Sequence, residues 1–376
     1  MIAPWVQIDL AVLDRNVRAM RDALGPRTSL VMVVKANAYG HGLTPVARQA
    51  ARSGVRWFAV AYLREALQVR AVCEDAEIVI LGAVMPDDVP TLLENRLLPV
   101  IVDEEQGRAL ARAARARGAV LRAHLKVDTG MGRFGVPWAD GIRVYERLAR
   151  EAGLDLTGLC THFASVEPRK PSLGPEQMER FLRIEEAIRR MSAQPLFRHV
   201  SSSRAFLYQQ EWDLDGVRPG IAAYGYGARE RGMRVATEPV LQWRTGVMQV
   251  KRVPAGFGVG YYSTYVTPAP TTLATLAVGY ADGYHRALSN KGFVLIRGRR
   301  CAVVGRVSMN WITVDCGPDA DVAPGDEAVL IGRQGNESIW ADELARLART
   351  IPYEMLTSIQ SASERHYVSA PSLPLG

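Results

Sequence analysis

Apolar positions in residues 30–225 fall into short runs separated by stretches of a longer period. Runs at 30–36 (LVMVVKA), 57–62 (WFAVAY), 77–82 (EIVILG), 98–102 (LPVIV), 122–128 (RAHLKVD), 157–163 (TGLCTHF), 198–202 (RHVSS) and 217–225 (VRPGIAAYG) predict eight strands. Between them the spacing turns helical: in 179–192 (ERFLRIEEAIRRMS) Phe181, Ile184, Ile188 and Met191 recur every three or four residues. Strands alternating with helices signal βα units and a parallel sheet, and eight such units suit a closed barrel with its active-site mouth at the C-terminal strand ends. A miscounted strand would instead give an open, doubly wound sheet.

After about residue 236 the helical period fades. Strand-like runs follow at 240–253, 271–280, 292–298, 301–307, 312–315 and 327–332. The expected fold class is α/β, with an N-terminal (β/α)8 TIM barrel over residues 1–235 and a second, mostly β C-terminal domain over 236–376. The first ten or so residues are left open to dock on the β domain. The end of the chain, 369–376 (SAPSLPLG), is rich in Ser and Pro and reads as a loose tail.

Composition adds little to this and excludes more. A chain of 376 residues with 48% hydrophobic and 23% charged residues has ample core material for two globular domains. The net charge of +7 comes from scattered Lys and Arg, densest at 297–300 (RGRR), without the basic stripe and interleaved aromatics of a nucleic-acid binder. Cys73, Cys160, Cys301 and Cys316 form no CxxC pair and no zinc-type spacing, so free thiols in a reducing compartment are expected, and no metal site. The N-terminal segment MIAPWVQIDL lacks a basic stretch followed by a long apolar run, and no membrane span is readable, so the expected location is the cytoplasm.

The candidate chemistry starts at Lys35. It follows the apolar run 31–34 (VMVV), whose surroundings disfavour charge and lower an amine's pKa, as Schiff-base chemistry requires. A strand-end lysine is by itself more often a solvated charge than a catalyst. If Lys35 holds an aldehyde cofactor such as pyridoxal phosphate, the chain must also supply a phosphate cradle, a partner for the ring nitrogen and acid–base groups near the substrate α-carbon.

The segment 33–42 (VVKANAYGHG) resembles the cofactor-lysine motif of the alanine racemases, the fold type III pyridoxal-phosphate enzymes. The resemblance continues in order through 126–135 (KVDTGMGRFG), 161–165 (THFAS), 217–225 (VRPGIAAYG), 279–284 (GYADGY) and 305–315 (GRVSMNWITVD), and so spans nearly the whole chain. It implies that Lys35 carries pyridoxal 5′-phosphate, with Tyr39, Ser203, Gly220, Ile221 and Tyr353 around the phosphate. Arg218 would face the ring nitrogen and His162 would pair with Arg218. Arg133 and Met309 would bind the substrate carboxylate, Tyr280 and Arg286 would line the entrance, and Lys126 matches a lysine that is carbamylated in some members.

Racemisation needs a base on each face of a planar carbanion. Lys35 can serve one face, and the resemblance points to Tyr261, in 258–265 (GVGYYSTY), supplied by the partner chain of a homodimer. Tyr262 and Tyr265 stand close to it. The implied activity is the interconversion of L- and D-alanine, supplying D-alanine for peptidoglycan.

Two departures bear on specificity. Where many members have an Asn-Ser pair, this chain has 201–203 (SSS), which makes Ser202 the residue beside the phosphate. The common Met-Asp is here Met309-Asn310, and loss of that carboxylate opens the reading of a broad-specificity or serine-type racemase. A barrel that carries the cofactor without turnover is a further alternative, beside a related decarboxylase and a protein with a vestigial site, and the β domain with 258–265 argues against it.

Overall fold

The computed structural model describes residues 2–166, 172–192, 194–227, 232–360 and 363–369. All but Ser369 of the expected tail lies outside the described residues. The chain forms two compact units: Leu13–Ala38 with Leu43–Thr237, and Met1–Val12 with Tyr39–Gly42 and Glu238–Gly376.

The first unit is a parallel barrel. Number the strand Trp5–Asp9 as β1. Then β2 is Ser29–Val33, β3 Trp57–Val60, β4 Glu77–Ile80, β5 Leu97–Ile101 and β6 Leu121–Asp128. A two-residue β7 (Val136–Pro137) flanks β6, followed by β8 Leu154–Cys160, β9 Phe197–His199 and β10 Gly216–Val217. Their order is β10-β2-β3-β4-β5-β6-β8-β9. The last seam is closed by the parallel bridge Ser202↔Arg218 and by the Arg218 N–H donating to Ser201 O at 2.8 Å.

These strands read as apolar runs because both faces are covered: Val31, Met32, Phe58, Ile78 and Val100 are all fully buried. The helix Gly174–Met191 buries Phe181, Ile184 and Ile188, whereas Met191, at its C-terminus, is 45% exposed and off the apolar face. The expected strand at 217–225 is shorter than its apolar pattern, since after Val217 the chain turns to bring Gly220 and Ile221 to the mouth.

The second unit is built on one large mixed sheet. Its strands are β11 Leu241–Val253, β14 Thr271–Leu276, β15 Phe293–Ile296, β16 Arg299–Val303, β17 Ile312–Gly317, β18 Glu327–Gln334, β19 Glu337–Ile339 and β20 Glu364–Val368. A separate hairpin pairs β12 (Gly258–Val259) with β13 (Tyr265–Val266). The sheet order is β19-β18-β15-β16-β17-β14-β11-β1-β20, and an extra β18–β11 pairing curls it on itself. Strand β1, though first in sequence, lies here between β11 and β20.

Candidate active site

The chemistry begins where β2 ends. The strand stops at Val33, two residues before the lysine, because Ala36, Asn37, Ala38 and Tyr39 all take left-handed conformations with φ of 52°, 54°, 53° and 53°. The expected strand 30–36 is corrected accordingly: Lys35 heads a left-handed turn. Such a conformation costs about 1–2 kcal/mol per non-glycine residue, so something must over-determine it.

Glu65 is that restraint. One carboxylate oxygen accepts from Ala36 N at 2.8 Å, and the other accepts from Ala61 N at 2.8 Å and Tyr62 N at 3.1 Å. Asn37 Oδ1 accepts from Leu43 N at 2.9 Å, and Ala38 N donates to Val34 O at 2.9 Å. Glu65 had no part in the sequence reading. Its signal was a glutamate three residues after the helix-capping position Tyr62, directly behind the strand at 57–62.

Lys35 is half-buried. Burial lowers its pKa first, the Arg133 and Arg218 charges lower it further, and only Glu65 opposes them, so the amine sits below the ordinary lysine range. The same field reaches His162. Burial, with Arg218, Arg133, Lys126 and Lys35 nearby, pushes its pKa down to about 3. The barrel mouth thus brings Lys35, Lys126, Arg133, His162 and Arg218 into one electropositive group.

Arg218 is buried on all sides by acceptors. Its NH1 donates to His199 O and to His199 Nδ1 at 2.8 Å, and its NH2 donates to Thr161 O at 2.8 Å and Val200 O at 3.1 Å, with His162 Nδ1 at 3.5 Å. Four guanidinium hydrogens are thereby held, leaving Nε–H as the one without a protein partner among the described residues. His199 and the residue behind it, His124 (Nδ1 to His199 Nε2, 2.9 Å), escaped the sequence reading because a buried histidine has no local signature.

The loop carrying Arg133 is built on Asp128, whose carboxylate accepts from the backbone N–H groups of Gly130, Met131, Gly132 and Arg133. Burial raises the Asp128 pKa, but the Gly130, Gly132 and Met131 N–H bonds outweigh it and hold the carboxyl below its usual range. Gln177 ties this loop to the next one, donating to Thr129 Oγ1 and His162 O and accepting from Ala164 N. Lys126 is 7% exposed, its Nζ 6.0 Å from the Phe134 ring centre, and burial lowers its pKa.

At the seam of the barrel, Ser203 Oγ accepts from Gly220 N at 2.9 Å and Ala222 N at 3.3 Å. Ser202 sits beside it at the helix-capping position of Ser203–Tyr208. Ile221 is buried, and its N–H has no protein acceptor among the described residues. An orphaned backbone donor next to a serine hydroxyl, together with the remaining Nε–H of Arg218 and a low-pKa lysine, fits an anionic pyridine cofactor held in this barrel.

The remaining sites belong to the second unit. Tyr39 and Tyr353 meet there with ring centres 5.9 Å apart, and burial raises the Tyr39 pKa. The backbone around Met309 packs on Gly279, where any side chain would strike Met309 O, while Tyr280 N donates to Ser308 O and Ala281 N to Met309 O. The two motifs around Tyr280 and Met309 are thus one structure, with Tyr280 43% and Met309 56% exposed and Arg286 exposed nearby in sequence.

Of the three neighbouring tyrosines, Tyr261 is 66% exposed. Tyr262 lies under the Arg306 guanidinium, 5.2 Å from its ring centre. Tyr265 OH is bonded to Asp315 at 3.2 Å, and its pKa is raised by burial and by that carboxylate, which disfavours it as a base.

Comparison with known proteins gives a consistent match. Residues 8–228 match the family model for the alanine racemase N-terminal domain and residues 240–367 that for the alanine racemase C-terminal domain. The alanine racemase of Symbiobacterium thermophilum is 41% identical over 365 residues, covering 96% of each chain, and that of Halothermothrix orenii is 38% identical over 364 residues, again covering 96% of each. The solved alanine racemase of Streptomyces coelicolor A3(2) superposes with a TM-score of 0.91 at 37% identity over 98% of both chains. The Bacillus anthracis alanine racemase with bound L-Ala-P gives a TM-score of 0.90 at 32% identity, over 98% of this chain and 95% of that one. The Bartonella henselae alanine racemase with covalently bound pyridoxal phosphate gives 0.86 at 29% identity, over 98% of this chain and 100% of that one.

Proposed function

The chain belongs to the alanine racemase family of isomerases, and from that premise we propose that it interconverts L- and D-alanine with pyridoxal 5′-phosphate bound at Lys35. The observation that carries this reading is the half-buried, low-pKa lysine locked at the head of a left-handed turn among Arg133, His162 and Arg218. When bound, the cofactor draws electrons from the substrate α-carbon and acidifies its proton.

The chain's own residues do the rest. Lys35 Nζ takes or returns the α-proton on one face, its lowered pKa favouring the neutral amine that a base requires. Tyr261, supplied by the partner chain of a homodimer, serves the other face, and its 66% exposure in a single chain supports that role. Arg133 pairs with the substrate carboxylate, to which the Met309 N–H adds a donor, with Tyr280 and Arg286 at the entrance. The Arg218 Nε–H would donate to the ring nitrogen without surrendering its proton, which would restrain electron withdrawal and favour proton exchange over side reactions. His162 stays neutral beside it.

Ser202 and Ser203, with Tyr39 and Tyr353, would offer hydroxyls and Ile221 its backbone N–H to the phosphate, and the Gly220 N–H, donating to Ser203 Oγ, orients that hydroxyl. Lys126 is buried and its pKa is lowered, which favours the neutral amine that carbamylation consumes, and the resulting anion would orient Arg133. The four buried, free cysteines support a reducing cytoplasm, and the role we assign is D-alanine supply for peptidoglycan. Exposed Asn310, in place of an aspartate, is the one feature favouring a broader or serine-type specificity.

The test is incubation of the cofactor-loaded protein with each alanine enantiomer in heavy water, following optical activity and α-deuterium together. Coupled loss of chirality and α-proton is expected, and in Tyr261→Phe removal of the proton from one enantiomer falls far more than from the other. Equal impairment of both would remove Tyr261 from the mechanism, and exchange with retained chirality in the wild type would leave a single base.

A further inference from the structure

A cleft of about 740 Å³ opens at the end of the barrel opposite Lys35, where β3 and β9 begin. The Trp57 and Phe197 rings stack in its wall, 4.1 Å apart and 1° from parallel. Arg27 and Arg189 line it as exposed cations, and Arg122, also in the lining, pairs with Glu77 at 3.3 Å. Arg198, also in its wall, is held by Asp215 at 2.7 Å and Glu185 at 3.4 Å, so those two carboxylates are already engaged. With Arg122 and Arg198 paired, Arg27 and Arg189 leave an excess of positive charge next to an apolar aromatic wall.

His124 also lines this cleft, and hydrogen-bond chemistry fixes which of its nitrogens bears the proton. An arginine cannot accept, so His199 Nδ1 accepts from Arg218 NH1 at 2.8 Å. Both histidines are fully buried and kept neutral, chiefly by desolvation. His199 therefore carries its proton on Nε2 and donates to His124 Nδ1 at 2.9 Å, which leaves the His124 proton on Nε2. That buried N–H has no partner among the described residues. A donor chain runs from the Arg218 guanidinium through two imidazoles and ends, without an acceptor, on the buried His124 of the cleft wall.

We propose that this cleft is a binding site for a small organic carboxylate, one oxygen of which accepts the His124 Nε2–H while its apolar body lies against Trp57 and Phe197. The exposed arginines draw the anion in and the imidazole fixes it. Occupancy is then felt at Arg218 through the polarised His124–His199 pair, although the site itself does not depend on what Arg218 faces at the other end of the barrel.

The experiment uses the cofactor-loaded protein labelled with 15N-histidine and benzoate as the probe. Among the six histidines per chain, His124 is assigned by its absence in His124→Phe and is expected as the Nε2–H tautomer. Benzoate should move its Nε2–H resonance downfield saturably. Arg189→Ala should weaken that binding about fivefold, the scale of one exposed charge. Arg190→Ala, whose guanidinium pairs with Glu186 outside the cleft, should leave it unchanged. No saturable movement overturns the proposal, since water then suffices for the donor. Equal binding in wild type and Arg189→Ala places the benzoate elsewhere, and equal weakening in Arg189→Ala and Arg190→Ala reduces it to a general field; either overturns the site.

Discussion

At the scale of single residues, the account turns on how Lys35 is held and discharged. The sequence alone singled out Lys35, Arg133 and Arg218, because each sits in a contiguous motif. Glu65 and Asp128 were passed over although their carboxylates anchor the loops that carry two of these three, since backbone ligation leaves no trace in residue type. Glu65→Gln replaces one accepting oxygen by a donor, stranding either Ala36 N–H or the Ala61 and Tyr62 pair, at a cost of about 1–3 kcal/mol of stability. Among the described residues Glu65 is also the one group that raises the Lys35 pKa. The variant should therefore shift the acidic limb of the rate profile to lower pH and reduce kcat roughly tenfold with KM little changed. An unmoved pH profile would reduce Glu65 to scaffolding.

At the scale of elements, the alternation of period two and period 3.6 revealed the barrel, while the segment that matters most defied it. Residues 30–36 read as one strand, but the strand ends at Val33 and four successive residues reverse hand. Ala36, Asn37, Ala38 and Tyr39 include no glycine, so no propensity marks the reversal; tertiary hydrogen bonds impose it. Ala36 is exposed at φ 52°. Ala36→Gly should leave the unfolding temperature unchanged or raise it, because relief of the left-handed conformation offsets the added chain entropy. Ala36→Val, with a β-branched side chain in that region, should destabilise by about 1–3 kcal/mol. A valine variant as stable as wild type would mean that the left-handed turn is absent in solution. The seam strand misled in the same sense: after Val217 the apolar run 217–225 turns, and burial made it resemble a strand.

At the scale of the whole molecule, three neutral histidines, His124 and His199 fully buried and His162 half-buried, set the acid limit. His124 and His162 are pushed down to about 3 and His199 well below its usual value, all primarily by burial. The unfolded chain protonates them near ~6.5 and the folded chain refuses those protons, so stability is intact above that value and is lost progressively as pH falls toward 3. At pH 5 the loss is about 2 kcal/mol for each histidine. Unfolding near pH 5 should take up about three protons from this source, and a flat unfolding temperature between pH 6.5 and 5 would show the histidines to be protonated in place. The exchange of β1 into the second unit's sheet, by contrast, was only partly foreseeable, because five residues of alternating pattern name a strand but not its partners.

The central claim, that Lys35 is the residue bonded to pyridoxal phosphate, is tested most directly by reducing the cofactor-loaded protein with borohydride, digesting it and locating the added pyridoxyl mass. The account predicts a single modified peptide, with the mass on Lys35 and none after Lys35→Ala. A pyridoxyl group on Lys126 or on a surface lysine, or modification that survives Lys35→Ala at full yield, would contradict it.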